Sequence, residues 1–146
     1  MSGKDLAELE RVVRASEFQR WAGLELMGLT EGTATFSFTP LPHHRNLVGG
    51  LHGGLLAILA DTATGVAMHA ELWPERTHVT VQLDLRFVAR PQTDRIVATG
   101  HVVRAGRRIG FAEGEIADEA GTTVATASAT FAISERKEQA SLAGAD

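Results

Sequence analysis

Between Leu51 and Leu72 lies a run of leucine, alanine, isoleucine, valine and methionine with no proline and limited β-branching. It predicts a helix of about 20 residues, apolar nearly all round and therefore buried. Pro74 stops it. His52, Asp61 and several glycines and threonines interrupt the run, which sets it apart from a membrane-spanning segment. Whatever else the chain forms must cover this helix.

The cover has to come from one domain, because 146 residues is the size of one. A chain of that length buries roughly 68–70% of its unfolded surface. Its 44% hydrophobic and 22% charged residues are a globular balance, not a disordered one. Alternating patterns supply strands. Val79, Val81, Leu83, Leu85 and Phe87 alternate with polar residues, which predicts one strand with those five on a single face. Ile96–Arg104, Ile109–Ala117 and Thr122–Ser134 read as three more, the last with Ala125, Ala127, Ala129, Phe131 and Ile133 facing one way. Ahead of the helix, Leu24–Leu29 and Ala34–Phe38 form a hairpin about Glu31-Gly32. Residues 4–22 read as an amphipathic helix carrying Leu6, Leu9, Val12, Val13, Phe18 and Trp21, with a break near Ser16 and an end at Gly23. The sum is an α+β domain over residues 1–134, a long antiparallel sheet with one buried helix, followed by a flexible tail over 135–146. The helix is covered on all sides only if the sheet curls about it or a second subunit closes what the sheet leaves open.

Charge and cysteine content remove several functions. Fourteen Lys and Arg stand against eighteen Asp and Glu, for a net charge of -4. The basic residues are scattered, which argues against a nucleic-acid face. The lack of cysteine removes disulfides, thiolate catalysis and zinc sites built on sulfur. With no signal-like N-terminus, a soluble cytoplasmic protein is expected. His43, His44, His52 and Asp61 are the one compact set of metal-ligand types. His52 and Asp61 lie nine residues apart and so point to opposite sides of a helix, and no metal-ligand spacing appears. No metal and no cofactor are expected.

Two features remain for chemistry. Gly53 and Gly54 open the long helix, where the first N–H groups lack partners and sit at the positive end of the helix dipole. They either present donors to a developing oxyanion or only permit a tight junction. Asp61 sits mid-helix among apolar residues. It either meets Thr64, a backbone donor or an arginine from another element, or it acts as nucleophile or general base.

The run Asn46-x2-Gly49-x2-His52-Gly53-Gly54, followed by Asp61-Thr-Ala-x-Gly65, resembles the hotdog-fold acyl-CoA thioesterases, in particular the phenylacetate-degradation (PaaI-like) branch. The likeness extends through Arg90-Pro91 and the Ala105-Gly106-Arg107 turn. It implies a curved antiparallel sheet wrapped round one central helix, assembled as a homodimer through edge strands and often as a dimer of dimers, a homotetramer. It implies that Asp61 is the catalytic carboxylate, that the Gly53 N–H polarises the thioester carbonyl, and that Asn46 orients the carboxylate, water or thioester. His52 then positions substrate, and Thr80 holds the attacking water. Phe87-Val-Ala-Arg90-Pro91 is one residue longer than the family's pattern, and a bulge there would leave Thr77 as the substitute for Thr80. Arg90, Gly106, Arg107 and Arg108 mark the two turns where relatives bind the nucleotide of coenzyme A, although arginines at strand ends are also commonly just solvated.

The function so implied is hydrolysis of an acyl- or aryl-CoA thioester. A hotdog enoyl-CoA hydratase or dehydratase and a non-catalytic acyl-CoA-binding module are the alternatives. Gly53 and Asp61 are about 12 Å apart along one helix axis. One helix cannot easily serve both ends of the same thioester, so the expected active site is shared between two subunits.

Overall fold

A computed structural model describes residues 3–136. Two short helices lead in, α1 (Gly3–Arg14) and α2 (Glu17–Ala22). Between them Ser16 caps α2, its hydroxyl accepting from the Gln19 N–H at 3.4 Å. Gly23 ends α2 in the left-handed conformation, φ 74°. Leu9 and Val13 are buried, but Phe18 and Trp21 are 50% and 74% exposed. The break at Ser16 resets the helical phase, so these two aromatics leave the apolar face that the spacing had put them on.

Six strands follow in sequence: β1 (Leu24–Thr30), β2 (Thr33–Phe38), β3 (Arg76–Phe87), β4 (Ile96–Ala105), β5 (Ile109–Asp118) and β6 (Thr123–Glu135). They form one antiparallel sheet in the order β1-β2-β4-β5-β6-β3. The long helix α3 (Gly53–Leu72) enters after the first hairpin and a loop with a short 3-10 turn, Pro42–His44. It packs across β4, β2, β3 and β5, and the sheet curves around it. This is the hotdog arrangement. Although α3 is long and apolar enough to cross a membrane, here it is a core helix.

Small residues let the helix lie directly on the sheet. Ala60, Ala63, Ala67 and Ala70 are buried. A Cβ on Gly100 of β4 would stand 2.4 Å from the Ala63 carbonyl, so only glycine fits there. Phe36, Phe38 and Phe131 fill the space to either side, each contributing about 1.5–3 kcal/mol by burial. In β6, Ala125, Ala127, Ala129, Phe131 and Ile133 are all buried, as their alternation requires.

β3 departs from its sequence pattern. A bulge at Val81, between Thr80 and Gln82, shifts its register against β6. Before the bulge, His78 and Thr80 point toward α3, and Val79 and Val81 are exposed. After it, Leu83 and Leu85 pack against the core and the Phe87 ring lies over Gly53. A clean period of two was therefore two half-patterns out of phase. At the other end, Glu135 pairs with Arg76 in the sheet, the Arg136 N–H donates to the Glu75 carbonyl, and the Arg136 guanidinium lies 3.9 Å from the Trp73 ring centroid. The expected tail thus does not begin at 135, and its remainder, 137–146, lies outside the described residues.

Candidate active site

The loop before α3 is organised by Asn46. Its Oδ1 accepts from the Val48 and Gly50 N–H groups, each at 3.0 Å, and Gly49 turns the chain with φ 79°. The Asn46 carboxamide oxygen therefore shapes the loop ahead of α3. His52 caps α3: its Nδ1 accepts from the Gly54 N–H at 2.9 Å, and its carbonyl accepts from the Leu55 N–H at 3.0 Å. A neutral His52 then carries its proton on Nε2. Of the two glycine donors expected at this helix start, the Gly54 N–H is already taken. Among the described residues nothing accepts from the Gly53 N–H, which leaves it the open donor at the positive helix end.

Asp61 is exposed in the single chain, which corrects the expectation of a buried carboxylate. The sheet covers one side of α3 and leaves a stripe of Ala57, Ile58, Asp61, Thr62, Gly65 and His69 half-buried or open. Thr64 turns away, its hydroxyl donating to the Ala60 carbonyl at 2.8 Å. The partner of Asp61 comes from β3, where Thr80 Oγ1 donates to Asp61 Oδ1 at 2.9 Å. The bulge at Val81 sets this register, so it is Thr80 and not Thr77 that reaches the carboxylate.

One turn further along α3, His78 Nε2 stands 2.8 Å from the Gly65 carbonyl and donates to it. The His78 ring meets those of His69 and Phe131 edge-on, at centroid distances of 4.4 and 4.6 Å. Burial, reinforced by His69, lowers the His78 pKa from 6.5 to about 4, against the opposing pull of the Gly65 carbonyl. His69 is lowered too, first by burial, with Arg136 adding to it and the Gly65 carbonyl opposing. Both histidines are half-buried. The bulge that turns His78 inward carries no sequence mark. His101 is exposed, 3.5 Å from Glu113.

The remaining candidates lie at two separate ends. Arg90 belongs to the loop after β3 and lines a cavity of about 570 Å³ together with Asn46, Gly53, Leu56, Phe87 and Val124. That size suits a small-molecule site. Arg107 and Arg108 are exposed on the β4–β5 turn, which Gly106 closes by donating to the Ile109 carbonyl at 2.9 Å. The Gly106 carbonyl accepts from Arg76 Nη1 at 2.9 Å. The whole of β4 separates Arg90 from Arg107, roughly 30 Å at about 3.3 Å per residue. Within one chain they do not converge. His44 is buried beside Phe38, its Nδ1 accepting from the Leu41 N–H at 2.9 Å. Burial and the adjacent His43 lower its pKa. Among the described residues no three histidine, aspartate or glutamate side chains gather as a metal site.

Comparison with known proteins fits this geometry. Residues 48–125, which hold the α3 start, Asp61 and Thr80, match the model of the thioesterase superfamily. A protein of Halobacterium salinarum is 33% identical over 107 residues, covering 64% of this chain and 70% of its own. Human acyl-coenzyme A thioesterase 13 is 27% identical over 116 residues, covering 77% of this chain and 81% of its own. Among solved structures, a mutant of the phenylacetic acid degradation protein PaaI from Thermus thermophilus superposes with a TM-score of 0.73 at 26% identity, over 80% of this chain and 98% of that one.

Proposed function

The chain belongs to the thioesterase superfamily, and on that premise we propose that it hydrolyses acyl-CoA thioesters with Asp61 as the catalytic carboxylate. The observation that carries the assignment is the Thr80–Asp61 hydrogen bond on the open side of α3. With Oδ1 engaged by Thr80, Oδ2 is left to accept a proton from water or to attack the thioester carbonyl itself. In the first route water adds to the carbonyl carbon, the C–S bond breaks, and the carboxylic acid and free coenzyme A leave, the sulfur taking up the proton that Asp61 accepted. In the second, Asp61 displaces the coenzyme A thiolate to form a mixed anhydride. Water then hydrolyses the anhydride to release the acid, restore Asp61 and supply the thiol's proton. The Gly53 N–H, at the positive end of α3, supports the negative charge that develops on the carbonyl oxygen. His52 and Asn46 hold the loop that keeps this N–H open.

A homodimer completes the site in this reading. The open stripe on α3, the unpaired edge of β3 and the exposed Val79 and Val81 all ask for a second copy. An antiparallel pair of α3 helices brings the partner subunit's Gly53 toward Asp61, and the reverse, for two identical sites. Val103 and Phe111 are also exposed, and they support a further pairing of dimers into a homotetramer. A cytoplasmic location belongs to the same reading, supported by the lack of cysteine. Arg90 reaches the nucleotide of coenzyme A, with Arg107 and Arg108 acting from the far turn. The test is thiol release from a panel of acyl-CoAs, set beside plain binding of the same panel. Binding without thiol release would replace hydrolysis by an acyl-CoA-binding role.

A further inference from the structure

Asp118, the last residue of β5, is buried, and its two oxygens do different jobs. Oδ1 accepts from the Thr122 N–H at 2.9 Å, which closes the β5–β6 turn. Oδ2 reaches out of that turn to the β3–β4 loop, accepting from the Gln92 N–H at 2.6 Å and the Thr93 N–H at 3.3 Å. Glu119 adds a second tie, its N–H donating to Thr93 Oγ1 at 3.1 Å and the Arg95 carbonyl at 3.2 Å. A turn alone needs one acceptor. The second oxygen serves only the loop, and that loop is the cavity wall that carries Arg90.

We infer that Asp118 is a positioning residue for coenzyme A, holding the Arg90–Asp94 wall in the shape that meets the nucleotide. The inference rests on the thioesterase reading above. Burial by itself pushes the Asp118 pKa up, but the N–H groups of Gln92, Thr122 and Thr93 outweigh it and hold the pKa below its usual value. The carboxylate is therefore charged at neutral pH, and its bonds to the loop are charge-assisted. Asparagine keeps the shape but removes the charge, so the loop N–H groups lose their charge-assisted acceptor whichever way the amide is turned. Its N–H₂ group in addition faces one of the two sets of donors.

The experiment compares wild type, Asp118→Asn and Thr93→Val on an acyl-CoA and on the same acyl group carried by N-acetylcysteamine, which lacks the nucleotide. Asp118→Asn is expected to raise KM for acyl-CoA on the order of tenfold, the scale of one charge-assisted hydrogen bond. Its kcat, and its KM for the truncated substrate, should stay within about twofold of wild type. Thr93→Val removes the acceptor for the Glu119 N–H together with the hydroxyl's own bond to the Arg95 carbonyl, and leaves both Asp118 oxygens engaged. It should shift KM the same way by less, which keeps the test available if Asp118→Asn does not fold. A merely structural role lowers the melting temperature without changing the ratio of the two KM values. Folded variants with unchanged KM for acyl-CoA, or with equal increases on both substrates, would overturn the inference. A wild type that releases no thiol from acyl-CoA would instead strike the proposed function.

Discussion

Thr80 Oγ1 donates to Asp61 Oδ1 at 2.9 Å, joining the edge strand β3 to the middle of the core helix. The bond fixes which carboxylate oxygen stays free. Asp61→Asn should lose at least about 100-fold in kcat, the scale of a lost general base, while acyl-CoA still binds. Because Asp61 is exposed in the single chain, its monomer stability should move by no more than about 0.5 kcal/mol. Thr80→Val should cost roughly tenfold in kcat, the scale of one lost hydrogen bond, and Thr80→Ser much less. Thr77→Val should leave kcat unchanged. Near wild-type turnover in Asp61→Asn would make that residue structural.

Arg90 and Arg107 stand at opposite ends of β4. If the nucleotide lies between two copies of the chain, Arg90→Ala and Arg107→Ala should each raise KM for acyl-CoA well above any change on a truncated thioester. If it contacts one chain only, a single one of the two variants will do so. Steady-state kinetics on both substrates read the difference.

His78 gives the fold an acid-sensitive seam. Its folded pKa, about 4, lies below the unfolded value of 6.5. The unfolded chain therefore takes up the proton first as pH falls. Stability is fully present above about 6.5 and is lost progressively down to about 4. His69 and Arg136 face the same seam, and the lowered pKa of His69 adds to the effect. Melting temperatures from pH 7.5 to 4 should fall more steeply for wild type than for His78→Phe, which also stacks on Phe131 but cannot titrate. Parallel curves would assign the acid loss to other groups.

Gly100 meets the backbone of α3 with no room for a side chain, so Gly100→Ala should destabilise by about 1–3 kcal/mol or more through overpacking. The direct backbone clash, 2.4 Å to Ala63, cannot be relieved by turning a side chain. A denaturant midpoint equal to wild type would mean that α3 does not sit on β4 as described.

How far the sequence could be read follows from where its patterns are local. β6 alternates from Ala125 to Ile133 and was legible residue by residue there, but Val124, left unmatched in the register against β5, is buried beside Ala125 and breaks the pattern at the start. α3 was legible from composition, but composition could not say which side the sheet would leave open, and there Asp61 emerged exposed. β3 looked the most regular strand and misled, because Val79 before the bulge, Val81 at it and Leu83 and Leu85 after it keep one unbroken alternation in sequence and hide the change of phase. The family motif gave Thr80 its place despite that. Nothing local marks Asp118, whose loop partners lie 25 and 26 residues away in sequence.

The proposed sharing of the site between subunits has its own test. Asp61→Asn removes the carboxylate. Gly53→Pro removes the N–H at the first position of α3, where proline is tolerated. The preceding His52 has ψ 126°, which suits a residue before proline. A Cβ at Gly53 would stand 3.2 Å from the Phe87 ring, which is 60% exposed and free to yield by the few tenths of an ångström required. Each variant alone should be inactive as a homodimer. Unfolded and refolded together, they should form heterodimers in which one site has both its Asp61 and its Gly53 N–H and the other has neither. Random pairing puts about half of all dimers in that class, so the mixture should recover roughly a quarter of the wild-type activity per site. Denaturant-matched homodimer controls and native mass spectrometry confirm that mixed dimers formed. Mixed dimers that stay inactive would place Gly53 and Asp61 in one chain's own site, or remove one of them from it.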